Sequence, residues 1–220
     1  MDSIQAHPPK QAAYHDKRVV TNKSYLIEPI VRHRILDSLF YKQYLFLANE
    51  STILPVITQH VRYIGGTDSV GRPSPFLCCL LRLLELEPSS EIVEYCLNQT
   101  HFKYVSALYM MYVRLTATNE YAYIQLEPYR SDYRKLRIQL KYPESVDGLQ
   151  VRYKLSYVDE WSYLLLTQPR ALGLILPRIP PRDQLEDAGV LQARLANFSD
   201  DDNADGEGVP ESSDYESDSD

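Results

Sequence analysis

Apolar positions recur at helical spacing through the first two thirds of the chain and then switch to strict alternation. Ile30, Val31, Ile35, Leu36, Leu39 and Phe40 predict a first helix, with Pro29 in its first turn, where a missing N–H costs little. Ser51 reads as the N-cap of a second helix that runs to Gly65-Gly66, with Pro55 in or just past its first turn. Residues 65–73, rich in Gly, Asp and Ser, read as a loop. Ser74-Pro75 then form an N-cap and first helical residue for the run FLCCLLRLLELE, which is apolar on nearly every side. A helix of that kind belongs at the centre of a domain. Pro88 ends it, and Ser89 or Ser90 caps the next. Thr100 is read as the cap of a helix to about Leu115, and Thr118 as the cap of a shorter one. Pro128 predicts a restart as a helix to about Leu136.

From there the period is two. Ile138, Leu140 and Tyr142 alternate with Arg137, Gln139 and Lys141, and Leu149, Val151, Tyr153 and Leu155 alternate with Gln150, Arg152 and Lys154. The turn-rich PESVDG lies between, so the segment predicts a β-hairpin, with one long helix through Leu140 as the rival. Ser156-x-x-Asp159 matches a capping box ahead of a helix carrying Trp161, Leu164, Leu165 and Leu166. A last helix is expected over residues 183–196. The expected fold is mainly α: a single compact multi-helix domain over 24–196 with a small β-hairpin, a flexible leader at 1–23 and a disordered acidic C-terminal tail at 197–220.

Charge sharpens that division. The formal net charge is −7, but residues 199–220 hold ten acidic residues and no Lys or Arg. The rest has 23 basic and 20 acidic residues, so the body is mildly basic, at +3. Such a body is too weakly charged to read as a dedicated nucleic-acid binder on charge alone. Ser199, Ser213 and Ser217 each precede an acidic residue by three positions, the pattern acid-directed kinases favour; a passive solubilising tail has the same composition. The N-terminus lacks an apolar h-region, so no signal peptide is expected, and no run approaches the length of a membrane span.

The chemistry-bearing residues form no motif. Cys78 and Cys79 are adjacent in an apolar run and Cys96 stands alone, which predicts buried reduced thiols rather than disulfides or a zinc site. The five histidines are scattered, and Gly65-Gly66 with Gly71 has neither P-loop nor dinucleotide spacing. Asp159-Glu160 suits a helix N-terminus better than a carboxylate pair. No catalytic residue, metal ligand or cofactor site is expected. Tyrosine is in excess, with 18 copies against 5 Phe and 1 Trp; its apolar ring and polar tip suit half-buried packing and interfaces.

One stretch suggests a surface. On a helix over 128–137, Tyr129, Tyr133 and Leu136 share one face, and Arg130, Arg134 and Arg137 a neighbouring one, with Lys135 and Lys141 nearby. That face fits phosphates or an acidic peptide; it equally fits a solvated amphipathic helix packed through its Tyr/Leu side.

Six collinear segments carry a resemblance: VRYIGG (61–66), PSPFLCCLLRLLELEP (73–88), FKYVSALYMMYVRLT (102–116), YIQLEPYRSDYRKLR (123–137), YVDEW (157–161) and ILPRI (175–179). Together they resemble the pre-mRNA-splicing factor 38 family, over roughly residues 25–191. The resemblance implies a nuclear, non-catalytic, nearly all-helical subunit that joins the spliceosome with the tri-snRNP and is needed for its activation. It implies a scaffold for other spliceosomal proteins, among them a zinc-finger splicing protein and a microfibrillar-associated-type factor, with spliceosomal RNA a secondary target and neither membrane nor small-molecule substrate. Tyr157 stands where the family often has His, and Trp161 where it has Phe; both keep an aromatic ring. The turn at 142–149 is longer than the family's usual one, and the short acidic tail takes the place of the long Arg/Ser-rich tails of some members.

Overall fold

The computed structural model describes residues 18, 20–146 and 148–193. The leader expected at 1–23 and the acidic tail expected at 197–220 lie wholly or largely outside the described residues. A 3-10 turn, Lys23–Leu26, leads into α1 (Pro29–Asp37), with Pro29 as its first residue. A π-helical turn, Tyr41–Leu45, follows, then α2 (Glu50–His60), α3 (Pro75–Leu86), α4 (Ser90–Leu97), α5 (Lys103–Thr116) and α6 (Asn119–Leu126). A second 3-10 turn, Glu127–Ser131, precedes the hairpin strands β1 (Lys135–Val146) and β2 (Leu149–Tyr157). Then come α7 (Val158–Thr167), the two-residue strands β3 (Arg170–Ala171) and β4 (Leu174–Ile175), and the short α8 (Arg182–Asp187).

α3 and α5 form the centre. Phe76 to Leu81 of α3 are all fully buried, and so is nearly every residue of α5 from Val105 to Leu115. α1, α2 and the π turn pack on α3, while α4, α6 and α7 pack on α5. Trp161 of α7 closes the core: its ring meets Phe76 edge-on at 6.3 Å, and its indole N–H donates to the Ala107 carbonyl at 3.1 Å. Cys78, Cys79 and Cys96 are buried free thiols, and burial pushes Cys78 up to about 11 and Cys79 higher still. They are therefore packing groups rather than nucleophiles.

Ser74 anchors α3 twice. Its Oγ accepts from the Leu77 N–H at 3.1 Å and donates to the Gly65 carbonyl at 2.6 Å. Ser74→Ala removes an N-cap and orphans a buried carbonyl, and is expected to cost about 1–2 kcal/mol, read as a lower midpoint in urea with an unchanged slope. At its far end α3 stops at Glu87, a left-handed residue at φ +48°, just before Pro88. Thr118 caps α6 through the Tyr121 N–H, as its position suggests.

Five helix expectations are corrected. The second helix starts at Glu50, because Asn49 takes the N-cap: its Oδ1 accepts from the Ser51 and Thr52 N–H groups, while Thr52 Oγ1 accepts from the Asn49 N–H at 2.8 Å. It ends at His60, because Ile64 is drawn into the sheet: its N–H donates to the Arg137 carbonyl and its carbonyl accepts from the Gln139 N–H, each at 2.8 Å. Gly65 instead allows close approach, since a Cβ there would lie 3.0 Å from the Ser74 Cβ. α5 starts at Lys103 rather than after Thr100, and α7 is entered from an extended Tyr157, with Ser156 Oγ donating to Glu160 at 2.6 Å in place of a capping box. The last helix is six residues long rather than spanning 183–196. The fifth correction, the helix over 128–137, bears on the candidate surface.

Candidate interaction surface

Pro128 starts only the 3-10 turn Glu127–Ser131, and the chain is a β-strand from Lys135. Leu136 is fully buried in that strand, so Tyr129, Tyr133 and Leu136 share no helical face. The three arginines fall into three environments. Arg130 lies 5.8 Å from the Tyr163 ring centroid of α7. Arg134 is a structural clip: its guanidinium donates to both oxygens of Asp132 and to the Gln99 and Thr100 carbonyls, at 2.6–2.9 Å for Nη1, Nη2 and the Asp132 Oδ2 contacts. Arg137 is an exposed strand residue whose N–H donates to the Tyr104 hydroxyl at 3.2 Å.

Burial pushes the Asp132 carboxyl up, but the side-chain and backbone hydrogen bonds from Arg134 outweigh it and hold the group below its ordinary range. A carboxylate lowered on folding contributes stability above its unfolded pKa and loses it as pH falls through the folded value, so the clip opens only in acid. Tyr129 is half-buried, with its hydroxyl 3.4 Å from Asn98 Oδ1, and burial raises its pKa; Tyr133 is 71% exposed.

Two features of the surface remain. One is a groove of about 310 Å³ lined by Tyr123, Arg130, Tyr163, Ile179, Pro180 and Arg182, the last paired to Glu127 at 2.5 Å. The other is the hairpin. Its base packs on the body through Leu136, Ser156 and a Tyr63–Tyr153 ring contact at 5.1 Å. Beyond Gln139 the ladder is broken: residues 140–143 of β1 stand against Arg152 alone before pairing resumes at Glu144–Val151. Pro143 lies inside this bulge, and pairing continues to Val146–Leu149, so most of the turn expected at 143–148 is strand instead. The distal ribbon is largely exposed on both faces and stands off the body.

Among the described residues, no cluster of His, Cys, Asp and Glu is arranged to hold a metal ion, and no helix is long and apolar enough to cross a membrane. The helical body built on two central helices, with its small hairpin, agrees with the nearly all-helical fold that the resemblance implies. The sequence comparisons bear this out: the chain belongs to the PRP38 family, which it matches over residues 16–189. It is 34% identical over 182 residues to pre-mRNA-splicing factor 38A of Danio rerio and of Homo sapiens, and 35% identical to that of Mus musculus. These matches take in 82% of the chain and 55% of each relative, so the chain spans about half the length of the curated relatives it matches. A crystal structure of the Snu23-Prp38-MFAP1(217-258) complex of Chaetomium thermophilum superposes with a TM-score of 0.73 at 37% identity, covering 80% of this chain and 88% of that one.

Proposed function

We propose that this chain is a non-catalytic, nuclear subunit of the spliceosome that holds other splicing proteins in place and is needed when the assembled particle is activated. The observation that carries the reading is the match to a chain solved in complex with Snu23 and an MFAP1 segment, at 37% identity over 80% of this chain. In this reading the partners are a zinc-finger protein of the Snu23 kind and a segment of the MFAP1 kind, docking on the unit 24–196. The test is reconstitution with both counterparts from the same organism. A complex that co-elutes in size exclusion supports the proposal, and separate elution at micromolar concentration overturns it. For activation, depletion from a splicing extract should stall assembled particles before the first step, and adding the chain back should release them.

The surface around Tyr129, Arg130, Tyr133, Arg134, Lys135 and Arg137 enters this reading in altered form. Arg130 is the member proposed to meet a partner, at the rim of the Tyr163 groove, with Tyr133, Lys135 and Arg137 as outlying contacts; Tyr129 and Arg134 support it from within the fold. Arg130→Glu is expected to slow association about two- to tenfold, as a rim charge does, with circular dichroism unchanged. Arg134→Glu should lower the melting temperature instead, because it breaks the clip to Asp132.

The acidic tail is read as separate from the docking unit. Its composition offers little apolar area to bury, so truncation before Ser199 should shift the melting temperature by no more than about 1–2 °C.

A further inference from the structure

Five cations line the hairpin. Lys135, Arg137, Lys141, Arg152 and Lys154 are all exposed, and none of them takes part in an ion pair among the described residues. Glu144 is the acidic residue described on these strands. Register places the charges on both sides of the ribbon. Lys154 lies opposite Ile138, on the face of Leu136, while Arg137 lies opposite Leu155 on the other face, beside Lys135. Arg152 faces the bulge and Lys141 belongs to it, so the charge continues past the break. Aromatic rings are interleaved with these cations. Tyr142 is 63% exposed, with the Lys141 ammonium 5.6 Å from its ring centroid, and Tyr153 keeps two fifths of its surface open.

We propose that this β1–β2 ribbon binds single-stranded RNA, its cations on the phosphates and the Tyr142 ring stacked on a base. Charge alone would suit an acidic peptide equally. The rings and the two-sided charge favour nucleic acid: a peptide strand adds along one edge or covers one face, whereas a flexible phosphate backbone wraps a ribbon and presents bases to exposed rings. The broken ladder favours it too, since residues 140–143 have no paired partner across the ribbon. The ribbon shares Lys135 and Arg137 with the outlying contacts of the docking surface, but none of its residues lines the Arg130–Tyr163 groove, so it adds a ligand to the protein-docking reading and does not depend on it.

The test uses the full chain and a fluorescein-labelled oligouridylate, followed by anisotropy across a salt series. Each phosphate neutralised on a single strand contributes about −0.7 to the slope of log affinity against log salt, so five cations predict a slope of about −3.5. The variant Arg137→Gln, Lys141→Gln, Arg152→Gln and Lys154→Gln should flatten the slope to about −0.7 and weaken binding at least about 100-fold at low salt. Tyr142→Ala should weaken binding about tenfold with the slope unchanged, because stacking releases no counterions. All five side chains are exposed, so the melting temperatures should hold. If the fourfold variant fails to fold, the wild-type slope and Tyr142→Ala still decide. No binding by the wild type at low salt overturns the proposal, as does full binding by the folded fourfold variant. Displacement by polyglutamate at the affinity of the RNA, together with an indifferent Tyr142→Ala, overturns it in favour of an acidic protein partner. Neither result touches the reconstitution with Snu23-like and MFAP1-like partners, which needs no RNA.

Discussion

Arg114→Ala should cost about 3–5 kcal/mol and lower the melting temperature by roughly 6–20 °C. Arg114 is 2% exposed, in the last turn of α5, in the middle of the core. Its Nε donates to the Leu165 carbonyl at 2.6 Å, and one Nη donates to the Pro177 carbonyl at 2.7 Å. These bonds tie the end of α7 and the chain beyond β4 to α5. Charged donors make stronger hydrogen bonds than neutral ones, and truncation strips buried carbonyls of their partners as well as opening a cavity. Arg114→Met separates the two causes. Methionine refills most of the volume and none of the hydrogen bonds, so a loss close to that of alanine assigns the effect to the orphaned carbonyls. Thermal melts and urea titrations of both variants measure it.

Leu80→Ala is expected to cost about 2–5 kcal/mol, the usual range for a leucine in a site that cannot collapse. Leu80 is fully buried in α3, the helix that meets α1, α2, the π turn and α5. Its neighbours are held from several sides and cannot close over the missing atoms. The signature is a lower urea midpoint with an unchanged slope. A substitution at Leu80 with little effect on the midpoint would mean that α3 is not the centre of the core.

Local signals were legible where one or two residues settle an element. Ser74-Pro75, Thr118 and Pro88 set helix ends through their own chemistry, and the alternation from Ile138 to Leu155 set the hairpin. The helix over 128–137 misled for a physical reason. Tyr129, Tyr133 and Leu136 have helical spacing by coincidence, while Lys135, Leu136, Arg137 and Ile138 already carry the alternation of a strand, with Leu136 inward. The stripe of arginines dissolved with that helix: Arg134 turned to Asp132 and the carbonyls of residues 99 and 100, which no spacing rule reveals. Non-local pairings were the other blind spot. Gly65-Gly66 has the form of a helix stop, and only the position of β1 turns it into a place where chains crowd. Arg114 left one trace, a lone cation in the apolar run Val105 to Leu115. A single basic residue at that spacing is usually solvated, so its role needed the packing of α7.

The bridge between Ile64 and Ile138 also sets an order of events. Residue 64 leaves the ribosome well before residue 138, and α3 to α6 are made in the interval. The helices are local and can pair as they emerge, whereas closure of the long loop from residue 64 to the hairpin has to wait for β1. During translation the helical centre therefore exists for a time with the edge of residues 61–66 open. A nascent-chain series arrested before and after β1 would show protection of α3 and α5 first and of residues 61–66 last.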